Sequence, residues 1–382
     1  MKTLAPTAAQ QRTELIERAG AAGSVQALFG TASERLRRLV PSDAAVWLAT
    51  DPATSLPTTP TRTENMDHFG GADACRRLWE LEFLVEDVNL YRDLACSEQP
   101  AAGLRMSTED RPARSPRYRH LVKPSGFADE LRAALRVDGQ PWAVLSLFRT
   151  GERPSFDAHE RDLVAGLCGP LAEAVRAHAR PVPGPPEPSA EHGPGLLVFS
   201  PAGDLISVND DALAWLEELA GCVQEDESLG VRVPIAAVST LVQARAIAKR
   251  REHGTARTRL RSNVSGRWLV CHASCLRDAE GNLGDTALII EPPTAAEIAP
   301  MIAQAYELTR REQQITGLVA RGFGTAGIAG RLHLSTHTVR DYVKAIFDKV
   351  GVSSRGELVA RLFAEHHAPI HLDPSSHDRV GD

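Results

Sequence analysis

Four side chains near the carboxyl end, His337, Arg340, Asp341 and Lys344, have the types and spacing to read a nucleic-acid surface. Residues three and four apart on a helix lie one above another, so these four share a face of a helix over Thr336 to Val350. A helix of that length fits the major groove, where base edges carry a readable donor and acceptor pattern. Arg340 can donate to guanine O6 and N7. Asp341 can only accept, which suits a cytosine amino group or the orientation of Arg340. Lys344 suits a base or a phosphate. Ser335 and Thr338 stand at the amino end, where hydroxyls and free amides suit a phosphate.

Such a face needs a scaffold, and the flanking residues spell one out. Thr309-Arg310-Arg311-Glu312 and Ser354-Arg355-Gly356-Glu357 read as capping boxes, and Ser335 as a third helix cap. Thr325 to Leu332 is a short helical stretch ended by His333-Leu334. Val339, Val343, Ile346 and Val350 form the apolar face of the third helix. Ile315, Leu318 and Val319 face them from the first helix, Ile328, Ala329 and Leu332 from the second, and Leu358, Val359 and Leu362 from a fourth. The expectation is an all-α module of four short helices with a tight second-to-third connection. Leu308 to Ala364 carries a formal charge of +5, against −6 for the whole chain, so the remainder is acidic. A basic module on an acidic body is the asymmetry expected when one part touches phosphates.

In order along the chain, Leu308-Thr309-x-Arg311-Glu312, Gly322, Ile328-Ala329, Leu332, Leu334-Ser335, Thr338-Val339-Arg340, Val343, Ile346-Phe347, Lys349-Val350-Gly351-Val352 and Ser354-Arg355 resemble the LuxR/NarL-type helix-turn-helix domain. The resemblance covers about residues 303–368. It implies that Thr336 to Val350 is the recognition helix and that the fourth helix mediates dimerisation. It implies double-stranded DNA as partner, contacted by Thr325, Ser335, His337, Thr338, Arg340, Asp341, Tyr342 and Lys344. The sequence departs from the pattern at Gly324, where a serine cap is usual, at Gly327, where a polar residue is usual, and at Tyr342, which replaces a frequent histidine. Glycine inside a helix costs about 0.5–1 kcal/mol against alanine, so the second helix is expected to be the weak one.

Upstream, Arg180 to Gly195 holds six prolines in sixteen residues and reads as an extended spacer. The segment before it reads as α+β. Helices are expected over Val25 to Val40, Cys75 to Phe83 and Phe156 to Ala177, the last with Leu163, Leu167, Leu171 and Val175 on one face. Strands are expected over Ala44 to Ala49, and over Phe127 to Val137 and Trp142 to Arg149 around an Asp138-Gly139-Gln140 turn. A strand pair followed by a long closing helix resembles a GAF-type sensor domain.

After the spacer, Leu196 to Phe199, Leu205 to Val208, Arg267 to Leu276 and Thr286 to Ile290 read as strands, with a helix opened by Asn209. That order resembles a divergent PAS-type domain, with Asn209 read as a helix N-cap. Val231 to His253 fits neither pattern clearly. The expected organisation is a GAF-like domain over 20–178, a proline-rich linker over 179–195, a PAS-like domain over 196–291, a connecting helix over 292–307, the helix-turn-helix domain over 308–365 and a disordered tail over 366–382.

Composition bounds the rest. No apolar run approaches the ~20 residues needed to span a bilayer, and Met1 to Gln10 lacks a signal-peptide core, so a cytoplasmic, nucleoid-associated protein is expected. Six scattered cysteines form no Cys-x-x-Cys pair, and Cys271 and Cys275 read as small buried hydrophobes. His366, His367, His371 and His377 lie in the tail and read as incidental rather than metal ligands. No catalytic, cofactor or metal motif is recognised: Gly-x-Ser-x-Gly, the P-loop and His-Glu-x-x-His are missing, and the opening lacks the βα start of a phosphorylated receiver. The sequence therefore points to a regulator acting as a homodimer, whose upstream domains sense a small molecule or mediate dimerisation.

Overall fold

The computed structural model describes residues 7–66, 72–180, 192–219, 223–226, 231–262 and 265–364. Most of the proline-rich spacer, the histidine-bearing tail and Cys222 lie outside the described residues. The chain forms two compact units, one built from the residues up to Ala179 together with His192–Pro292, the other chiefly from Pro293 onward.

In the first unit, α1 (Ala8–Gly20) and α2 (Val25–Leu39) lead into β1 (Ala44–Thr50) and β2 (Pro57–Glu64). Then come α3 (Ala72–Phe83), α4 (Tyr91–Cys96), β3 (Ala101–Gly103), α5 (Leu104–Ser107), β4 (Asp129–Val137), β5 (Gln140–Arg149) and α6 (Ala158–Ala177). The five strands form one antiparallel sheet ordered β2-β1-β5-β4-β3. Asp138 and Gly139 both take positive φ, so the β4–β5 hairpin closes on the tight turn the sequence predicts. In α6 the buried face runs through Val164, Leu167, Cys168, Leu171 and Val175; Leu163, expected there, is only half-buried. Along β4 and β5, alternate residues face opposite sides, as in any strand.

One set of these side chains is charged. Arg117 donates to Glu130 at 2.9 Å and pairs with Asp87 at 3.4 Å, while Arg132 donates to Glu82 at 2.9 Å and lies 3.5 Å above the Tyr91 ring. Ser146 donates to Glu130 and shares a 2.9 Å hydrogen bond with the Tyr91 hydroxyl. All seven of these side chains are at most 5% exposed.

The sequence shows no strand at Pro57–Glu64, because prolines at 57 and 60 break the pattern. The structure places that strand at the edge of its sheet, where a missing amide costs least.

The second half of this unit holds β6 (Gly195–Phe199), β7 (Leu205–Val208), α7 (Asp210–Glu218), β8 (Val223–Asp226), β9 (Val231–Pro234), α8 (Ile235–Ala248), β10 (Arg257–Arg261), β11 (Trp268–Arg277) and β12 (Leu283–Glu291). Its sheet runs β10-β11-β12-β6-β7, again fully antiparallel. Counted within each half, both sheets have the same order, 2-1-5-4-3. Asn209 caps α7 by accepting from the Ala212 amide, and its side chain also bridges to Leu196 and Pro194, as its cap reading requires. Cys271 is fully buried, and Cys275 lies 3.4 Å from the Thr286 hydroxyl. Val231 to His253, ambiguous in sequence, is a strand and a helix. Every residue of that helix from Ala236 to Ala246 is buried, which removes the polar stripe that marks a surface helix.

The second unit is helical: α9 (Ala295–Ala305), α10 (Arg310–Ala320), α11 (Thr325–Leu332), α12 (Thr336–Val350) and α13 (Arg355–Val359), the last running into a wider turn over Ala360–Ala364. Ile315, Ile328, Val339, Ile346, Val350, Leu358 and Leu362 make its core, as the apolar spacing predicts. No described helix is long and apolar enough to cross a membrane.

Candidate nucleic-acid interface

The candidate recognition face lies on α12, which is held by its neighbours. Ser335 caps α12 by accepting from the Thr338 amide at 3.0 Å, and its hydroxyl also lies 2.8 Å from that of Thr338. The two hydroxyls expected at a phosphate therefore engage each other first. Gly351, with φ of 71°, ends the helix in the left-handed conformation that glycine adopts freely.

Thr309 and Glu312 form the expected capping box on α10. Glu312 also accepts from the Lys349 ammonium at 2.7 Å, which ties α10 to α12. Burial pushes the Glu312 carboxyl up, but Lys349 and the Thr309 amide and hydroxyl outweigh that and hold it below its ordinary value. The second expected box is only half present. Ser354 accepts from the Glu357 amide, but Glu357 reaches past it to the amide and hydroxyl of Ser353.

The weak second helix is held from outside. Gly324, at the N-cap of α11, offers no side-chain acceptor. Instead the Arg355 guanidinium donates to the Phe323 carbonyl at 3.0 Å and to the Thr325 hydroxyl at 2.9 Å. At the other end His333 takes a positive φ, the Leu334 amide returns to the Ala329 carbonyl, and Arg311 donates to the Leu332 carbonyl at 2.7 Å. Arg331 lies 4.1 Å above the Phe323 ring. Sequence reasoning missed Arg311 and Arg355 as scaffold residues, since only the folded turn brings their carbonyl partners within reach.

A Cβ at Gly327 would meet only the Phe323 ring, at 3.6 Å, and one at Gly330 would meet nothing within 4 Å. Gly327→Ala and Gly330→Ala are therefore each expected to stabilise this unit by about 0.5–1 kcal/mol. Thermal unfolding followed by circular dichroism checks this, and a lowered midpoint would contradict it.

These contacts sort the module's cations. Lys349, Arg311, Arg355 and Arg331 are engaged internally, and Arg321 donates to a carbonyl of its own helix. Arg340 and Lys344 are exposed, one turn apart, and carry no ion pair among the described residues. Asp341 does not orient Arg340. It lies 2.8 Å from Nδ1 of His337 one turn back, with both side chains mostly in solvent. Tyr342 is half-buried at the edge of the face. Thus His337, Arg340, Asp341 and Lys344 do share one exposed surface, whereas Thr325 and Ser335 are partly committed to structural bonds.

A short, capped four-helix core that presents such a helix is a helix-turn-helix module. Residues 306–362 match the family model "Bacterial regulatory proteins, luxR family", and residues 24–175 match the GAF domain model. The chain therefore carries a LuxR-family helix-turn-helix domain at its carboxyl end and a GAF domain near its amino end. Among curated proteins, the HTH-type transcriptional regulator MalT of Serratia proteamaculans is 33% identical over 60 residues, which is 16% of this chain and 7% of that protein. Among solved structures, a Vibrio cholerae VqmA–ligand–DNA complex is 17% identical over 46% of this chain and 84% of its own, with a TM-score of 0.23. The GAF domain of a phosphoenolpyruvate-protein phosphotransferase from Coxiella burnetii is 15% identical over 45% of this chain and 96% of its own, with a TM-score of 0.31.

Proposed function

We propose that this protein is a sequence-specific DNA-binding transcription regulator of the one-component kind, without catalytic activity, working in the cytoplasm on the nucleoid. The observation that carries the reading is the division of cations in the helix-turn-helix module. Lys349, Arg311, Arg355 and Arg331 are spent on holding the helices, while Arg340 and Lys344 stand on the exposed face of α12 with no ion pair among the described residues. His337 and Asp341 complete the face that meets base edges, with Ser335, Thr338, Thr325 and Tyr342 toward the phosphates.

The regions 20–178 and 196–291 would form the sensory part, the second of them PAS-like, joined to the reading domain at 308–365. The protein acts as a homodimer, because paired recognition helices read half-sites one or more helical turns apart. A small molecule bound in the sensory part would set its activity.

Selection of bound fragments from genomic DNA by the purified protein, followed by footprinting, tests this. Enrichment of a motif with two protected half-sites is expected. Binding without sequence preference at physiological salt would overturn it.

A further inference from the structure

We infer that the GAF domain and the α+β domain after it are one folding and sensing unit assembled around α8, so that the chain has a single sensory input rather than two. The first observation is α8 itself. It packs on β11 and β12 of its own sheet and also on α3 and β2 of the GAF domain. Its sequence, IAAVSTLVQARAIA, is apolar or small apart from Gln243 and Arg245, which are themselves buried, as suits a helix with two buried faces. The hydrophobic core is accordingly continuous. Leu48, Leu56, Trp79, Phe83 and Val144 of the GAF domain belong to the same cluster as Leu216, Leu241, Leu260, Cys271 and Ile290.

The second observation is the seam between the two sheets. β2 is an edge strand of one sheet and β10 of the other. Prolines at 57 and 60 remove two amide donors from β2, and side chains bridge the gap. Thr58 donates its hydroxyl to the Arg259 carbonyl at 2.7 Å, and Thr258 donates to the Pro57 carbonyl at 3.2 Å. Thr59 donates to the Arg261 carbonyl and accepts from the Arg261 amide. Asp51 pairs with the Arg259 guanidinium at 2.9 Å and accepts from its amide at 3.0 Å, with both side chains at most 2% exposed. The Arg261 guanidinium then donates to the His178 carbonyl at the end of the GAF domain's last helix. Separation of the domains would strand a buried ion pair and bare both faces of α8. Neither half can therefore loosen, or be tightened by a ligand, without the other.

Two native thiols report on this in the full chain. Cys168 lies in the GAF core and Cys271 in the core of the following domain, and burial pushes each thiol up to about 12. Each is labelled by iodoacetamide only when its surroundings open. Labelling is followed by site-resolved mass spectrometry across a urea series.

The inference expects both thiols to become reactive at the same urea concentration with the same slope. It also expects Arg259→Ala to speed both by a common factor, on the order of a hundredfold or more. Protection of one thiol lost well before the other, or acceleration by Arg259→Ala confined to Cys271, would overturn it. If Arg259→Ala fails to fold, the coincidence of the two wild-type curves still decides, and Thr58→Val gives a milder perturbation of the same seam.

Discussion

Arg340→Ala is expected to weaken binding to the selected operator by about 1–3 kcal/mol and to relax preference at one base-pair position, the loss of one bidentate guanine contact. Lys344→Ala is expected to lower affinity more evenly across sequences. If Lys344 meets a phosphate, it also lowers the slope of log affinity against log salt by about 1. The two effects follow from what surrounds the side chains. Both cations are exposed and spend nothing on internal partners, so their removal leaves the fold intact.

Lys349 provides the contrast. Its ammonium is held by Glu312 and the Glu307 carbonyl, so Lys349→Ala should lower the melting temperature while leaving the operator preference as it was. Fluorescence anisotropy with operator and scrambled duplexes at several salt concentrations separates these outcomes. Unchanged specific binding by Arg340→Ala would remove it from the reading face.

The largest stability effect is expected in the GAF domain. Arg132→Leu leaves Glu82 and Glu130 without one of the cations that offset their burial, and Arg117→Leu does the same to Asp87 and Glu130. Breaking a buried pair by removing one partner costs about 3–5 kcal/mol, because the remaining charge stays desolvated. Urea unfolding should show this as a lower midpoint, and a midpoint within experimental error of wild type would refute it.

The same cluster sets a pH dependence. Burial pushes the Glu130 carboxyl up, but Arg117 and Arg132 outweigh it and hold it below its ordinary value. A carboxyl lowered in the folded state contributes stability that is present above its unfolded value and is lost as pH falls through the folded one. Asp129 next to it is raised by burial, and its contribution is lost instead as pH rises through its folded value. Acid titration of unfolding should therefore show a Glu130 contribution that is lost below the ordinary carboxylate range, and that contribution should be missing in Glu130→Gln.

The helices of the reading domain are legible in the sequence because their information is local. Caps at Thr309, Ser335 and Ser354, a glycine stop at Gly351 and apolar residues at helical spacing all lie within a few residues of what they control. The exposed face of α12 follows from the same periodicity, and Asn209 is recognisable as a cap for the same reason.

Other features are decided at a distance. The role of a cation depends on which carbonyl or carboxylate the fold brings to it, so Arg311, Arg355 and Lys349 cannot be told from Arg340 by type or spacing. A helix buried on both faces loses the polar stripe by which helices are recognised, which hides α8. A strand with two prolines sits at a sheet edge, where its own threonine hydroxyls and that of Thr258 bridge it to the following domain, which hides β2. The shared exposed face of His337, Arg340, Asp341 and Lys344 was thus determined by the sequence itself, through short-range spacing. The tertiary structure alone decided which cations of that module are engaged by internal partners, and that the two domains upstream share one core.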